Sequence, residues 1–233
     1  MGRCLVNETP LPRRMLPVRI AGVIFDCDGV LIDSRMANMA YYNRVREIAG
    51  LSPMSPEEED YAHMHSVRET LIRIFPLEMH ARLREFAQSV DYDRDILPMI
   101  HIEAGLHACL DALRSHGLRL AIFTNRGSGM GAVLDSFKLR PYFDCVMTVA
   151  EVKAKPAPDG LLRIAESWRR PPAELLFVGD SLLDAQAAEA AGVYFIAYRN
   201  PQLQAQGHVD SFAELDQVLR AIPLENASRS VEI

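Results

Sequence analysis

The chain has 233 residues, 49% of them hydrophobic and 24% charged, which places it among ordinary globular proteins able to bury a substantial core as one large domain or two unequal ones. A formal net charge of −6 argues against a general affinity for nucleic acid or an anionic membrane and leaves only a local basic pocket for a small anion. The four cysteines, Cys4, Cys27, Cys109 and Cys145, show neither a Cys-x-x-Cys pair nor zinc-type histidine spacing, so a reduced, cytoplasmic protein without a structural zinc is expected.

Residues 1–17 contain three prolines and no continuous apolar run, and read as an extended arm rather than a secretory signal. No stretch of the chain is long and apolar enough to span a bilayer. From Val18 to Phe25 the residues are apolar on both faces, as in a strand covered by helices on either side. It ends at Asp26-Cys27-Asp28-Gly29. Asp33-Ser34 can cap a helix over Arg35 to Ala49 that Gly50 closes. Between Leu51 and about Met99 the pattern is helical, with an acidic first turn at Glu57 to Asp60, helices over Ser66 to Ile74 and Leu77 to Val90, and no strand. Such an insertion is a candidate separate lobe.

After Pro98 helices and strands alternate. Helices are expected over Glu103 to His116, Ser128 to Phe137, Asp159 to Arg169, Leu182 to Ala191 and Ser211 to Ile222. Strands are expected over Leu118 to Phe123, Asp144 to Val149, Leu175 to Val178 and Val193 to Ala197. This alternation means an α/β fold, a Rossmann-like doubly wound parallel sheet. The expected core is 18–33 with 99–222, the helical insertion is 34–98, and 223–233 is a tail.

In such a sheet ligands bind beyond the carboxyl ends of the strands. Three strands end there in polar residues: Asp26 and Asp28, Thr124 and Asn125, and Asp180. A proline-rich loop, Lys153 to Asp159, presents Lys155 to the same crevice. An ionised carboxylate attacks phosphorus without a base. Because it attacks an anion, it needs a divalent cation and a lysine to neutralise the charge. Oxygen ligands from Asp26 and Asp180 suit magnesium rather than zinc. Thr124 and backbone N–H groups after the first strand, Gly29 among them, can cradle phosphate oxygens. Asp28 can protonate a leaving alkoxide and then activate water, if neighbouring carboxylates hold its pKa up.

Four ordered segments, Asp26-Cys27-Asp28-Gly29-Val30, Thr124-Asn125, Lys155-Pro156 and Gly179-Asp180-Ser181-Leu182-Leu183-Asp184, resemble the motifs of the haloacid dehalogenase-like hydrolase superfamily. The resemblance runs from about Val18 to Ile222, and the insertion resembles the helical cap of the branch holding phosphoglycolate phosphatases and β-phosphoglucomutases. It implies Asp26 as nucleophile and metal ligand, and Asp28 as general acid/base that also ligates through its carbonyl. It further implies Thr124, Asn125 and Lys155 on phosphate, Asp180 on Mg2+, and Asp184 holding Lys155 or a metal-bound water. Dehalogenases of the superfamily lack the second aspartate, so Asp28 shifts the reading to phosphate chemistry. The expected activity is hydrolysis of a small phosphate monoester, with a β-phosphoglucomutase-like phosphomutase as the alternative. A receiver-like signalling domain fits less well, because there Lys-Pro comes last.

Gly127-Ser128-Gly129-Met130-Gly131 follows the wrong strand and has the wrong spacing for a dinucleotide loop, and reads as a helix start in close approach. Arg35, His65 and Arg68 in the insertion are candidates for substrate contact. Cys27 reads as a buried thiol pointing away from the two aspartates.

Overall fold

The apolar run before Asp26 forms β1 (Gly22–Phe25), every residue of which is buried. In this computed structural model residues 19–220 are described, except Ser66, Ser128 and the side chains of His63 and Met64. Both terminal arms expected from the sequence, and Cys4, lie outside the described residues.

From β1 the chain runs through a tight turn into β2 (Ile32–Asp33), α1 (Arg35–Ile48), α2 (Pro56–Met64), α3 (Val67–Ile74), α4 (Leu83–Gln88), α5 (Tyr92–Asp95) and β3 (His101–Ile102). It continues through α6 (Leu106–Ser115), β4 (Arg119–Phe123), α7 (Met130–Ser136), β5 (Cys145–Met147), α8 (Asp159–Trp168), β6 (Leu175–Gly179), α9 (Leu182–Ala191), β7 (Tyr194–Tyr198), β8 (Gly207–Val209) and α10 (Phe212–Arg220). Six strands form one sheet in the order β5-β4-β1-β6-β7-β8, parallel throughout. The chain order reverses on either side of β1, between β4 and β6, and such a switch point is where an open α/β sheet holds its ligand.

Successive β1 side chains feed different cores. Val23 and Phe25 join a cluster with Leu110, Val133 and Phe212, from α6, α7 and α10. Ile24 joins Leu161, Trp168 and Ala188, from α8 and α9, in the other. This is the two-sided burial that a continuous apolar run requires. A third cluster, including Tyr42, Val45, Leu71 and Phe86, is made entirely within the segment between β2 and β3. The antiparallel pair β2–β3 brackets that segment, with Asp33 opposite His101.

The sequence reading differs from the structure in several places, each with a local reason. The stretch Leu77 to Val90 divides into a 3-10 segment, Leu77–Arg82, and then α4. Its first half fully buries no residue and sets only the partly buried Met79 against the local core, too little of a packed face to sustain an α-helix. The helix expected from Glu103 begins at Leu106, because Gly105 takes a left-handed conformation. Ser34 stands at the N-cap of α1 but makes no side-chain capping bond, its hydroxyl being donated to Asp28 instead. The acidic run behaves as read: Ser55 and Glu58 form a reciprocal capping box at α2.

Packing against the sheet leaves no room at Gly22. A Cβ there would lie 2.3 Å from the Trp168 ring and 2.9 Å from the Arg119 carbonyl oxygen. Gly22→Ala is therefore expected to lower stability by about 1–3 kcal/mol through overpacking, measured by denaturant unfolding. An unchanged midpoint would contradict this packing.

Candidate active site

At the carboxyl end of β1 the Asp26 backbone N–H donates to Val178 O at 2.9 Å, which ties the residue to β6. Its carboxylate Oδ1 accepts from the Cys27 N–H at 2.7 Å and pairs with Lys155 Nζ at 2.7 Å. No described hydrogen bond falls on Oδ2. The same ammonium lies 2.6 Å from Asp184 Oδ1 and 5.7 Å from the ring centres of Phe123 and Phe177. Lys155 is thus a buried cation held between two buried carboxylates over two aromatic faces.

Each partner is fixed by its own element. Asp184 is the third residue of α9, and its Oδ2 accepts from the Ser181 N–H and hydroxyl in a capping box. A helix-start device therefore also aims Oδ1 at the lysine. Asn125 clamps the Lys155 backbone from both sides: its Oδ1 accepts from Lys155 N at 2.7 Å and its Nδ2 donates to Lys155 O at 3.2 Å. Asp180 leaves the end of β6, its carbonyl accepting from Asn200 Nδ2 at 2.8 Å. Its carboxylate lies over Gly29, where a Cβ would come 2.1 Å from Oδ2. Gly29 has φ +78°, so a side chain there is excluded by both space and backbone.

Asp26, Asp180 and Asp184 each offer an oxygen within 4.8 Å of the others. Burial pushes the Asp26 carboxyl well above the ordinary range, and Asp184 and Asp180 push the same way against Lys155. Burial together with Asp184 raises Asp180 to about 7. Lys155 is raised as well: burial alone would lower it, but Asp184 and Asp26 outweigh that. When all three carboxylates are ionised, they exceed the one ammonium by two charges. A hard divalent cation fits that excess and this all-oxygen donor set. Asp26 and Asp180 would hold it, since Asp184 has both oxygens committed.

Asp28 stands apart from this cluster and requires a correction. Its carboxyl was expected to be held up by neighbouring carboxylates, yet it lies below the ordinary range: burial raises it, but the Arg126 guanidinium, with the Ser34 hydroxyl, more than offsets that. Arg126 Nε donates to Asp28 Oδ2 at 3.1 Å and Nη2 to Oδ1, while Nη1 donates to the Tyr92 hydroxyl. In this state Asp28 is an ionised base, and it must leave Arg126 before it can carry a proton as an acid.

The remaining expected residues divide. Thr124 is buried and accepts the Arg126 N–H on Oγ1 at 3.0 Å, which leaves its own proton to donate. Asn125 was expected on phosphate; its Oδ1 and one amide N–H go to the Lys155 backbone, which leaves the second amide N–H to donate. Gly29 was expected to donate its N–H to phosphate, but that group bonds Ile32 O at 2.9 Å within the turn. Of the three candidates in the insertion, Arg35 and Arg68 are exposed. The His65 ring stacks on Tyr61 at 3.6 Å and bonds the Tyr61 carbonyl. Among the described residues of the insertion, Ser34 reaches Asp28 directly and Tyr92 reaches the site through Arg126, its ring also filling the space beside Gly129. Arg126 and Tyr92 were both missed. A charged residue directly after Thr124-Asn125 was the available signal for Arg126, and nothing local marked Tyr92.

Fold and site together put carboxylates, a buried lysine and a buried threonine at the switch point of a parallel α/β sheet. Residues 23–198 match the haloacid dehalogenase-like hydrolase family. Among curated relatives, the phosphoglycolate phosphatase of Nitrosospira multiformis is 31% identical over 195 residues, 78% of this chain and 85% of that protein. That of Chromobacterium violaceum is 31% identical over 221 residues, 86% and 97% of the two chains. A solved haloacid dehalogenase-superfamily hydrolase of subfamily IA from Geobacter sulfurreducens is 37% identical, with a TM-score of 0.73, over 87% of this chain and 97% of its own. The chain belongs to the haloacid dehalogenase-like hydrolase family, as the four motifs had suggested.

The raised carboxyls set a pH dependence. A folded-state pKa near 7 for Asp180, above its unfolded value, means the folded protein binds the extra proton, so stability falls as pH rises from about 4 to about 7 and then levels, by up to about 1.4 kcal/mol per pH unit for such a group. In chelator, Asp180→Asn is expected to lose this part of the slope, and a saturating divalent cation to remove it in the parent protein. Parallel stability–pH curves for parent and variant, from denaturant titrations at pH 5 to 8, would contradict it.

Proposed function

We propose that this chain is a magnesium-dependent phosphomonoesterase that hydrolyses a small phosphate ester through a phosphorylated Asp26. The observation that carries the reading is the Lys155 ammonium bonded to Asp26 and Asp184 beside Asp180. That arrangement supports a nucleophilic carboxylate, a fixed cation and a divalent-ion site at one point. Asp26 attacks phosphorus through Oδ2, the oxygen that Lys155 and Cys27 leave unbonded. Lys155 then keeps its charge beside the phosphoryl oxygens, and the Thr124 hydroxyl donates to another. Once turned away from Arg126 and protonated from solvent, Asp28 gives that proton to the leaving alkoxide and takes another from the water that opens the phospho-aspartate. Magnesium, held by Asp26, Asp180 and the Asp28 carbonyl, would supply the remaining charge neutralisation.

The helices between β2 and β3, with a core of their own, are proposed as a cap that excludes water from the phospho-enzyme. Relatives named phosphoglycolate phosphatase support a short phosphate ester of that kind as substrate. No described helix is long and apolar enough to cross a membrane, and Cys27, Cys109 and Cys145 are free thiols; both support a cytoplasmic enzyme. The test is phosphate release from a panel of short phosphate esters and sugar phosphates. Asp26→Asn is expected to lower kcat by at least about a thousandfold, on the scale of a lost essential group, and chelation to abolish turnover. Sustained release by Asp26→Asn, or sugar-phosphate isomerisation without net phosphate, would contradict it.

A further inference from the structure

Arg126 is only 9% exposed, and its guanidinium is built into the wall between the catalytic edge and the helical insertion. Two of its nitrogens, Nε and Nη2, are taken by the two oxygens of one carboxylate, that of Asp28. The third, Nη1, bonds the Tyr92 hydroxyl, with the guanidinium carbon 5.9 Å from the ring centre. Its backbone N–H bonds Thr124 Oγ1, so the fork stands two residues from a phosphate anchor. Planar two-point pairing of this kind suits a carboxylate or a phosphate, and here the group that fills it is a carboxylate.

We infer that Arg126 is the specificity-determining residue for the leaving group, and that the fork Asp28 fills in the free protein receives a carboxylate of the substrate during the reaction. The inference rests on the phosphomonoesterase reading above. To serve the leaving oxygen, Asp28 must turn out of the fork, and a buried guanidinium then loses its counter-charge, a costly state in a water-poor wall. A carboxylate on the leaving alcohol restores the pair; a neutral alcohol does not. Because the replacement is made only when Asp28 has moved, it favours the reactive arrangement over the resting one, and so discriminates in kcat/KM as well as in binding. The exchange swaps one carboxylate for another at the same two nitrogens and forms no covalent bond. Tyr92, bonded to the third nitrogen, holds the fork in place while its partner changes.

The test compares two esters of the same carbon count, 2-phosphoglycolate, which carries the carboxylate, and ethyl phosphate, which does not. The magnesium-loaded protein and its Arg126→Met and Arg126→Lys variants are assayed, with circular dichroism to check folding. The parent protein is expected to prefer 2-phosphoglycolate in kcat/KM by at least about a hundredfold, as a site left with an unpaired polar group rejects the analogue lacking it. Both variants are expected to slow on both esters, since Asp28 loses its anchor, but the preference is expected to shrink by at least about tenfold in Arg126→Met. Arg126→Lys keeps the charge without the fork, and is expected to fall between. A residue that merely positions Asp28 would lower both rates equally, and an unchanged preference would overturn the inference. Absence of preference in the parent protein would do the same even if Arg126→Met failed to fold, while leaving the phosphatase reading intact. Failure to release phosphate from either ester, and from p-nitrophenyl phosphate, would overturn that reading and this inference with it.

Discussion

One buried ammonium, that of Lys155, holds the site together. It lies between Asp26 at the end of β1 and Asp184 in the first turn of α9, joining segments that are distant in sequence. A lysine this buried is tolerated only when its charge is met and its hydrogens are bonded. The surrounding structure meets that demand with two carboxylates, two aromatic faces and an amide clamp from Asn125 on its backbone. The parallel order β4-β1-β6 supplies the geometry, since the ends of those three strands deliver Asn125, Asp26 and Asp180 to one edge.

The same crowding leaves the site short of positive charge. Burial first, and then the neighbouring carboxylates, push Asp26 and Asp180 upward against Lys155, a tension that a divalent cation would relieve. Gly29 matters here by what it lacks, since its missing side chain is the space in which the Asp180 carboxylate lies. Asp28 escapes the tension through Arg126 and Ser34. Two aspartates separated by one residue therefore occupy opposite electrostatic settings, and two carboxylates whose environments push them apart are suited to different tasks.

Much of this was legible in the sequence because it depends on local pattern. The two-sided apolar run of β1, the glycine stop at Gly50, and the ordered strand-end acids place the fold and most of the site without coordinates. Side-chain commitments were less legible. Asn125 looks like a phosphate donor beside Thr124, but only the folded chain shows its amide closing on Lys155. Ser34 reads as a helix cap because its position and residue type fit one, yet a carboxylate six residues earlier takes its hydroxyl. The pairing of Asp28 with Arg126 spans 98 residues, and Tyr92 lies in the single turn of α5, too short to carry a periodic signal. Likewise β2, β3 and β8 have two or three residues each, and their pairing comes from the larger elements around them.

The claim on which the rest depends is that Asp26 becomes covalently phosphorylated. The direct measurement is acid quenching during turnover of a labelled phosphate ester, followed by mass mapping of the modified peptide. The account expects one acid-stable, base-labile phosphoryl group on Asp26, formed and lost at rates that match turnover. A phosphoryl group on any other residue, or steady turnover with none on the protein, would contradict it.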